Sequence, residues 1–167
     1  MYYINYFFIC SILGFLLETL FYTFCKWDGG SGFLHGPWTP VYGIGAIIII
    51  IIFDFIFKKI KTKKFLKFII FFITTCIILS IIELIGGVLI EKIFSITFWD
   101  YSDHKFHIGK YISLEMALVW GLASTIFIFL LRPLIDKFID KIPKIITYLL
   151  LVLFFIDNIV TLIYKVK

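Results

Sequence analysis

The sequence predicts an all-α integral membrane protein, a polytopic bundle of about five transmembrane helices forming one transmembrane domain over residues 1–167. Three observations lead there. The chain is 62% hydrophobic and 16% charged, against about 45–50% and about 25% in soluble domains, and its mean hydropathy is +1.06. A core of this size would leave much apolar surface in water, so lipid is the solvent that fits. Five stretches, at about 3–25, 41–57, 68–90, 112–131 and 145–163, approach the roughly 20 apolar residues that cross a hydrocarbon core of about 30 Å. Closed β-barrels are the only other spanning solution. Ile47 to Phe53 is continuously apolar, where a barrel strand would alternate.

The first span has no Lys or Arg before it and no small-residue cleavage site after it, which predicts a retained helix rather than a removed signal peptide. Near the inner end of the second span, Asp54 is spaced to pair with Lys58 at i,i+4. The connection to the third span carries Lys58, Lys59, Lys61, Lys63, Lys64 and Lys67; that between the fourth and fifth carries Arg132, Lys137, Lys141 and Lys144. These are ten of the sixteen basic residues, and the positive-inside rule places both connections in the cytoplasm. The N-terminus is then inside, the C-terminus outside, and the connections at about 26–40 and 92–111 external. Lys165 and Lys167 fall on the wrong side, which leaves four or six spans open.

The net charge of +5 is thus mostly loop charge that sets orientation and meets anionic headgroups, so membrane lipids are expected partners. No nucleic-acid motif accompanies it, and nucleic acid is not an expected partner. Cys10 and Cys25 lie fifteen residues apart on one helix, about 22 Å by helix rise, too far to bond. With Cys76 alone in the third span, no disulfide framework or zinc spacing emerges.

The first two spans and the next two read as a repeat. Glu18 and Glu83 lie late in spans one and three. The following connections end in Phe33-Leu34-His35-Gly36-Pro37-Trp38 and Phe106-His107-Ile108-Gly109-Lys110-Tyr111, and the next helices contain Tyr42-Gly43-Ile44-Gly45-Ala46 and Trp120-Gly121-Leu122-Ala123. Two similar hairpins plus one helix would be a parallel repeat, and transporters often place a site where repeats meet.

A carboxylate at mid-bilayer costs roughly 2.5–3.5 kcal/mol on insertion scales, which makes each one a functional hypothesis. Glu18, Glu83 and Asp157 fall in the outer halves of their spans, Glu115 in the first turn of the fourth, and Glu91 at the outer end of the third. No Lys or Arg is expected deep in any span, so the embedded charge favours a cation, a proton or a headgroup amine. The alternative role is packing, a neutral Glu hydrogen-bonding a neighbouring helix. Candidate substrate-binding residues are Glu18, Glu83, Glu115, His35, Tyr42 and Asp100.

The connection 26–40, with Trp27, Asp28, Gly29, Gly30, Gly32, Gly36, Pro37 and Pro40, suits either a re-entrant cap or an interfacial turn with Trp anchors. In 92–111, Asp100, Asp103, His104 and His107 are metal-ligating types, but their spacing matches no metal signature, and no metal or other cofactor is expected. Asp100 and Ser102 are expected to bond backbone amides and order the loop. Gly36, Pro37, Pro40, Gly43, Trp99, Tyr101, Ser102 and Gly109 are the candidate structural residues of the connections. No G-x-S-x-G elbow, P-loop or dinucleotide fingerprint is present, and no catalytic residue is assigned.

Gly14-x-x-x-Glu18-Thr19, Gly32-Phe33-Leu34-His35-Gly36-Pro37-x-x-Pro40-x-Tyr42-Gly43-x-Gly45-Ala46, Glu83, Glu91-Lys92-x-Phe94, Trp99-Asp100-Tyr101-Ser102 and Phe106-x-x-Gly109-Lys110 together resemble the ABC-transporter type IV permease family of mainly Gram-positive bacteria. The resemblance covers about 14–125. It implies a multi-pass protein of the bacterial plasma membrane with a transport function and a separate ATPase partner, and it assigns no substrate. The chain itself has no Walker A motif. Five spans make a small conduit, so a homo-oligomer or a partner subunit is expected. Two other readings stay open: a non-transporting assembly or regulatory subunit whose polar residues pack helices, and an intramembrane enzyme using Glu18, His35 or Asp100 as acid or base.

Overall fold

A computed structural model describes residues 1–25 and 33–165. Trp27, Asp28 and the glycines at 29, 30 and 32, with the cap or anchor read for them, lie outside the described residues, as does Lys167. Six α-helices are present among the described residues: α1 (Tyr2–Cys25), α2 (Pro40–Phe55), α3 (Lys64–Phe94), α4 (Leu114–Ile126), α5 (Arg132–Ile139) and α6 (Lys144–Lys165). Pro40 opens α2, where its missing N–H costs nothing and its fixed φ suits the first turn. Ser113 caps α4, its hydroxyl accepting from the Met116 N–H at 3.1 Å.

Five helical runs among the described residues are long and apolar enough to cross a membrane: Tyr2–Phe24, Pro40–Lys59, Lys64–Ile93, Leu114–Ile139 and Lys144–Tyr164. All five expected spans are therefore present, with two differences at their ends. The third begins at Lys64, because the lysines there are good helix formers and prolong the helix into the polar zone. The fourth does not stop at 131. It passes through a π-helical turn, Phe127–Leu131, and continues as α5, so most of the expected cationic connection is helix. α5 is amphipathic, with Leu134, Ile135, Phe138 and Ile139 set against Arg132, Asp136 and Lys137.

The chain forms two compact units. The first comprises Met1–Ile48 and Pro133–Lys167, the second Ile49–Arg132. In the first, Phe8, Leu34 and Trp38 form a buried cluster ringed by Ile4, Phe7, Phe33, Leu150 and Phe154. Phe154 meets Trp38 edge-on at 5.8 Å between centroids, an arrangement the ring quadrupoles favour. Polar ties fasten α1 to α5 and α6. The Tyr2 and Tyr6 hydroxyls both donate to Oδ1 of Asp136 at 2.8 Å, and the Thr147 hydroxyl donates to Oδ1 of Asn5 at 2.6 Å.

In the second unit, Phe53, Phe57, Phe68, Phe71 and Phe129 stack and interlock. The Asp54–Lys58 pair expected from local spacing is replaced by a longer-range one. The two terminal nitrogens of Arg132 donate to the two carboxylate oxygens of Asp54 at 2.9 and 2.7 Å. A planar fork matches a carboxylate better than an ammonium does. The Arg132 side chain is only 13% exposed, and it lies in the last third of the fourth apolar run rather than at its middle. The π turn makes the pairing reachable: the Arg132 N–H bonds back to Phe127 O, and the inserted residue rotates the succeeding turns around the helix axis. The connection 92–111 and the first two residues of the expected fourth span form a feature that periodicity did not reveal, an antiparallel ladder pairing His107 with Ser113 and Ile108 with Ile112. Gly109 turns it at φ +62°, a left-handed conformation that glycine adopts without penalty.

Candidate functional site

In the first unit, Glu18 receives a hydrogen bond from the Thr39 hydroxyl to Oε2 at 3.3 Å and is hydrogen-bonded to Tyr42. Close approach of α1 and α2 makes this possible. A Cβ at Gly14 would fall within the Tyr42 ring, and one at Gly43 would strike Ser11 Oγ and Phe7 O. The packing brings Glu18 and Tyr42 together, with Gly43 against Ser11 and Phe7 one position on.

His35, Gly36 and Pro37 belong to a separate arrangement on α6. Asp157 accepts three hydrogen bonds from this turn: the Gly36 N–H at 2.9 Å and Trp38 Nε1–H at 2.6 Å to Oδ2, and the His35 N–H at 3.2 Å to Oδ1. Gly36 is required because the Trp38 ring folds back over it and would overlap a Cβ. The ring nitrogen Nδ1 of His35 lies 2.9 Å from Thr161 Oγ1 and 3.9 Å from Asp157 Oδ1. A nucleophile–base–orienter chain uses both imidazole nitrogens, whereas here hydroxyl and carboxylate meet the same one. The group fastens a turn rather than activating a nucleophile. Asp157 is the organising residue that the candidate set omitted; its only sequence signal was an acid in the outer half of the fifth span.

In the second unit, Glu83 Oε1 accepts from the Tyr101 hydroxyl at 3.0 Å and from Trp120 Nε1–H at 2.9 Å. Its Oε2 is buried and has no hydrogen-bond partner among the described residues, and the same holds for Trp99 Nε1. Gly87 admits the Tyr111 ring, which would overlap a Cβ there. Glu91 holds Lys110 Nζ at 2.7 Å and the Tyr111 hydroxyl at 2.8 Å; the first of these bonds holds the exposed Lys110 ammonium above its ordinary value. Glu115 lies 3.6 Å from His104 Nδ1, not against Glu83. Asp100 accepts from the Ser102 hydroxyl and, at 2.8 Å, from the Ser102 N–H, as expected for a loop-ordering acid. Those bonds, the hydroxyl's first, hold its carboxyl below the ordinary range. No group of three His, Cys, Asp or Glu is placed to share a metal ion among the described residues.

The two units repeat one local plan. Phe72, Cys76 and Glu83 each follow Phe7, Ser11 and Glu18 by the same 65 positions (72 − 7, 76 − 11, 83 − 18), and Trp120 and Gly121 follow Tyr42 and Gly43 by 78 (120 − 42, 121 − 43). The contacts correspond as well. A Cβ at Gly43 would strike Ser11 and Phe7, and one at Gly121 would strike Cys76 and crowd Phe72. The ring before each glycine, Tyr42 or Trp120, bonds the glutamate. The hairpin likeness read in the sequence is thus repeated in side-chain contacts.

Comparison with curated proteins and with solved structures gave no match. The sequence profile of the family described as "Putative ABC-transporter type IV" matches residues 5–163, nearly the whole chain and both glutamate-centred hairpins, and the protein belongs to that family.

Proposed function

We propose that the protein is the membrane-spanning permease component of a bacterial plasma-membrane transporter that handles a cationic or amine-bearing solute. One observation carries this: each unit sets a span carboxylate, Glu18 or Glu83, against hydrogen-bond donors from the following helix and connection. An acid at such depth is costly and attracts positive charge. Repeating the device in both hairpins is the economy expected of a transporter built from repeats. In the first unit Glu18 supplies the acidity, with Tyr42 orienting it and His35 shaping the connection; in the second, Glu83 and Glu115 supply it and Asp100 shapes the connection.

The lysine-rich connection of residues 58–67 supports a cytoplasmic N-terminus and an outward-facing acidic side. The chain carries no Walker A motif, so a separate ATPase supplies the energy. Between 17% and 28% of each span's apolar window is buried within the chain. Lipid, further copies of the chain or partner subunits cover the rest.

The test compares cells lacking the chain with the same cells carrying it, for accumulation and efflux of radiolabelled methylammonium. A chain-dependent difference that disappears on de-energisation is expected. Identical traces with and without the chain would overturn the reading.

A further inference from the structure

Between α1, the end of α5 and α6 lies an open groove of about 340 Å³, within the range of about 300–1,000 Å³ that ligand pockets occupy. Every lining residue belongs to the first unit. The walls include Ile9 and Ile12 on α1, Phe138 at the end of α5, and Ile146 and Leu150 on α6. Phe138 is 62% and Ile146 44% exposed, so the groove opens to whatever surrounds the spans. Its two polar lining residues are Asn5 and Lys141. Asn5 is spent on packing: its Oδ1 accepts from the Thr147 hydroxyl at 2.6 Å, and its Nδ2 donates to Ile139 O at 3.5 Å. The Lys141 ammonium forms no ion pair among the described residues. It lies 5.7 Å from the centre of the Phe138 ring, beside one wall of the groove.

The groove has a polar end and an apolar end. Lys141 stands in the turn between α5 and α6, where two apolar runs end and begin, at Ile139 and Lys144. Leu150 lies six residues into α6, about 9 Å along its axis, within the apolar run. Lys137 and Lys144 flank Lys141, and these three cations outnumber Asp136 and Asp140; Asp136 already accepts from Tyr2 and Tyr6. We infer that the groove is a binding site for an anionic glycerophospholipid such as phosphatidylglycerol, with an acyl chain between α1 and α6 and the phosphate on Lys141. Each lysine near a membrane surface contributes about 1 kcal/mol towards an anionic headgroup. A soluble anion would leave the apolar walls uncovered, and a zwitterionic lipid would bring its own cation up to Lys141. The site does not depend on the solute reading above.

The full chain, purified in detergent, is titrated with phosphatidylglycerol and with phosphatidylcholine of the same acyl chains, and bound lipid is counted by native mass spectrometry. Phosphatidylglycerol is expected to bind at least about fivefold more tightly. Lys141→Gln should erase that preference, while Lys61→Gln, in the other lysine-rich connection, leaves it unchanged. Ile146→Trp, which fills the groove, should weaken phosphatidylglycerol binding at least about fivefold while eluting like the parent. Lys141→Gln keeps the test decisive should Ile146→Trp misfold, because Lys141 is exposed and makes no ion pair. Equal binding of the two lipids, a preference that survives Lys141→Gln, or parental binding by a folded Ile146→Trp would overturn the inference. So would displacement of the lipid by soluble glycerol phosphate, which would make the site one for a free anion. A dimer of the delipidated chain that Ile146→Trp abolishes would assign the groove to a second copy, and would overturn it too.

Discussion

Replacing Asp157 tests how the His35–Trp38 turn is held. Asp157→Ala removes the acceptor for the Gly36 N–H, the Trp38 Nε1–H and the His35 N–H at once. Hydrogen bonds to a charged acceptor contribute about 1.5–3 kcal/mol each. The bond from the His35 backbone N–H is exposed, so water can replace its share, whereas Trp38 is 5% exposed and its indole N–H is left bare. Counting the two Oδ2 bonds at the low end gives a loss of about 3 kcal/mol. For a chain of this length each kcal/mol lowers the melting temperature by about 2–4 °C, hence by about 6–12 °C in all. Asp157→Asn keeps one oxygen that can serve both Oδ2 donors, and about a third of that drop is expected. The assay heats detergent-solubilised protein and measures the monodisperse fraction by size-exclusion chromatography. An alanine variant melting within about 1 °C of the parent would refute the clamp.

The two glycines of α2 make a contrast within one helix. Gly43→Ala drives a methyl into Ser11 Oγ and the Phe7 carbonyl and is expected to cost about 1–3 kcal/mol. Gly45→Ala meets nothing within 4 Å and should be neutral or stabilising by up to about 1 kcal/mol; equal melting temperatures for the two would contradict the packing. Arg132→Gln leaves Asp54 without its bidentate partner; with that carboxylate a quarter exposed, the loss is discounted to about 1–3 kcal/mol. Adding Asp54→Asn should restore part of it in a double-mutant cycle, and strict additivity would argue against the pair. Asp100 ionises more readily in the fold than its ordinary 3.8, so its contribution is full above that value and lost as pH falls through the lower folded value. Hydrogen-exchange protection at the Ser102 amide should therefore persist down to about pH 4 and fade below it. Loss already near about pH 6 would contradict the bond. Ser102→Ala should move the fading upward.

The spans were legible because length and continuous hydropathy are local properties, and Tyr42-Gly43 and Trp120-Gly121 announced the repeat for the same reason. The features that escaped depend on distance or on short pieces. Asp54 has a lysine one turn away, yet its partner is Arg132, 78 positions on, delivered by a π turn that leaves no compositional mark. Asp157 reads as one acid among several until folding places a turn from 119–122 positions earlier against it. The ladder after Phe106 is two residues per strand, below the length at which alternation can be seen. Thr39 and Trp120 completed the glutamate sites only once the helices were packed, although Trp120 already stood beside the glycine that permits the approach.

The claim that the span carboxylates Glu18 and Glu83 serve a cationic solute is tested most directly by methylammonium flux in cells carrying Glu18→Gln or Glu83→Gln at parental membrane levels. The account predicts that each variant inserts normally, elutes like the parent and loses at least about tenfold of the chain-dependent flux. Parental flux in both variants would contradict it.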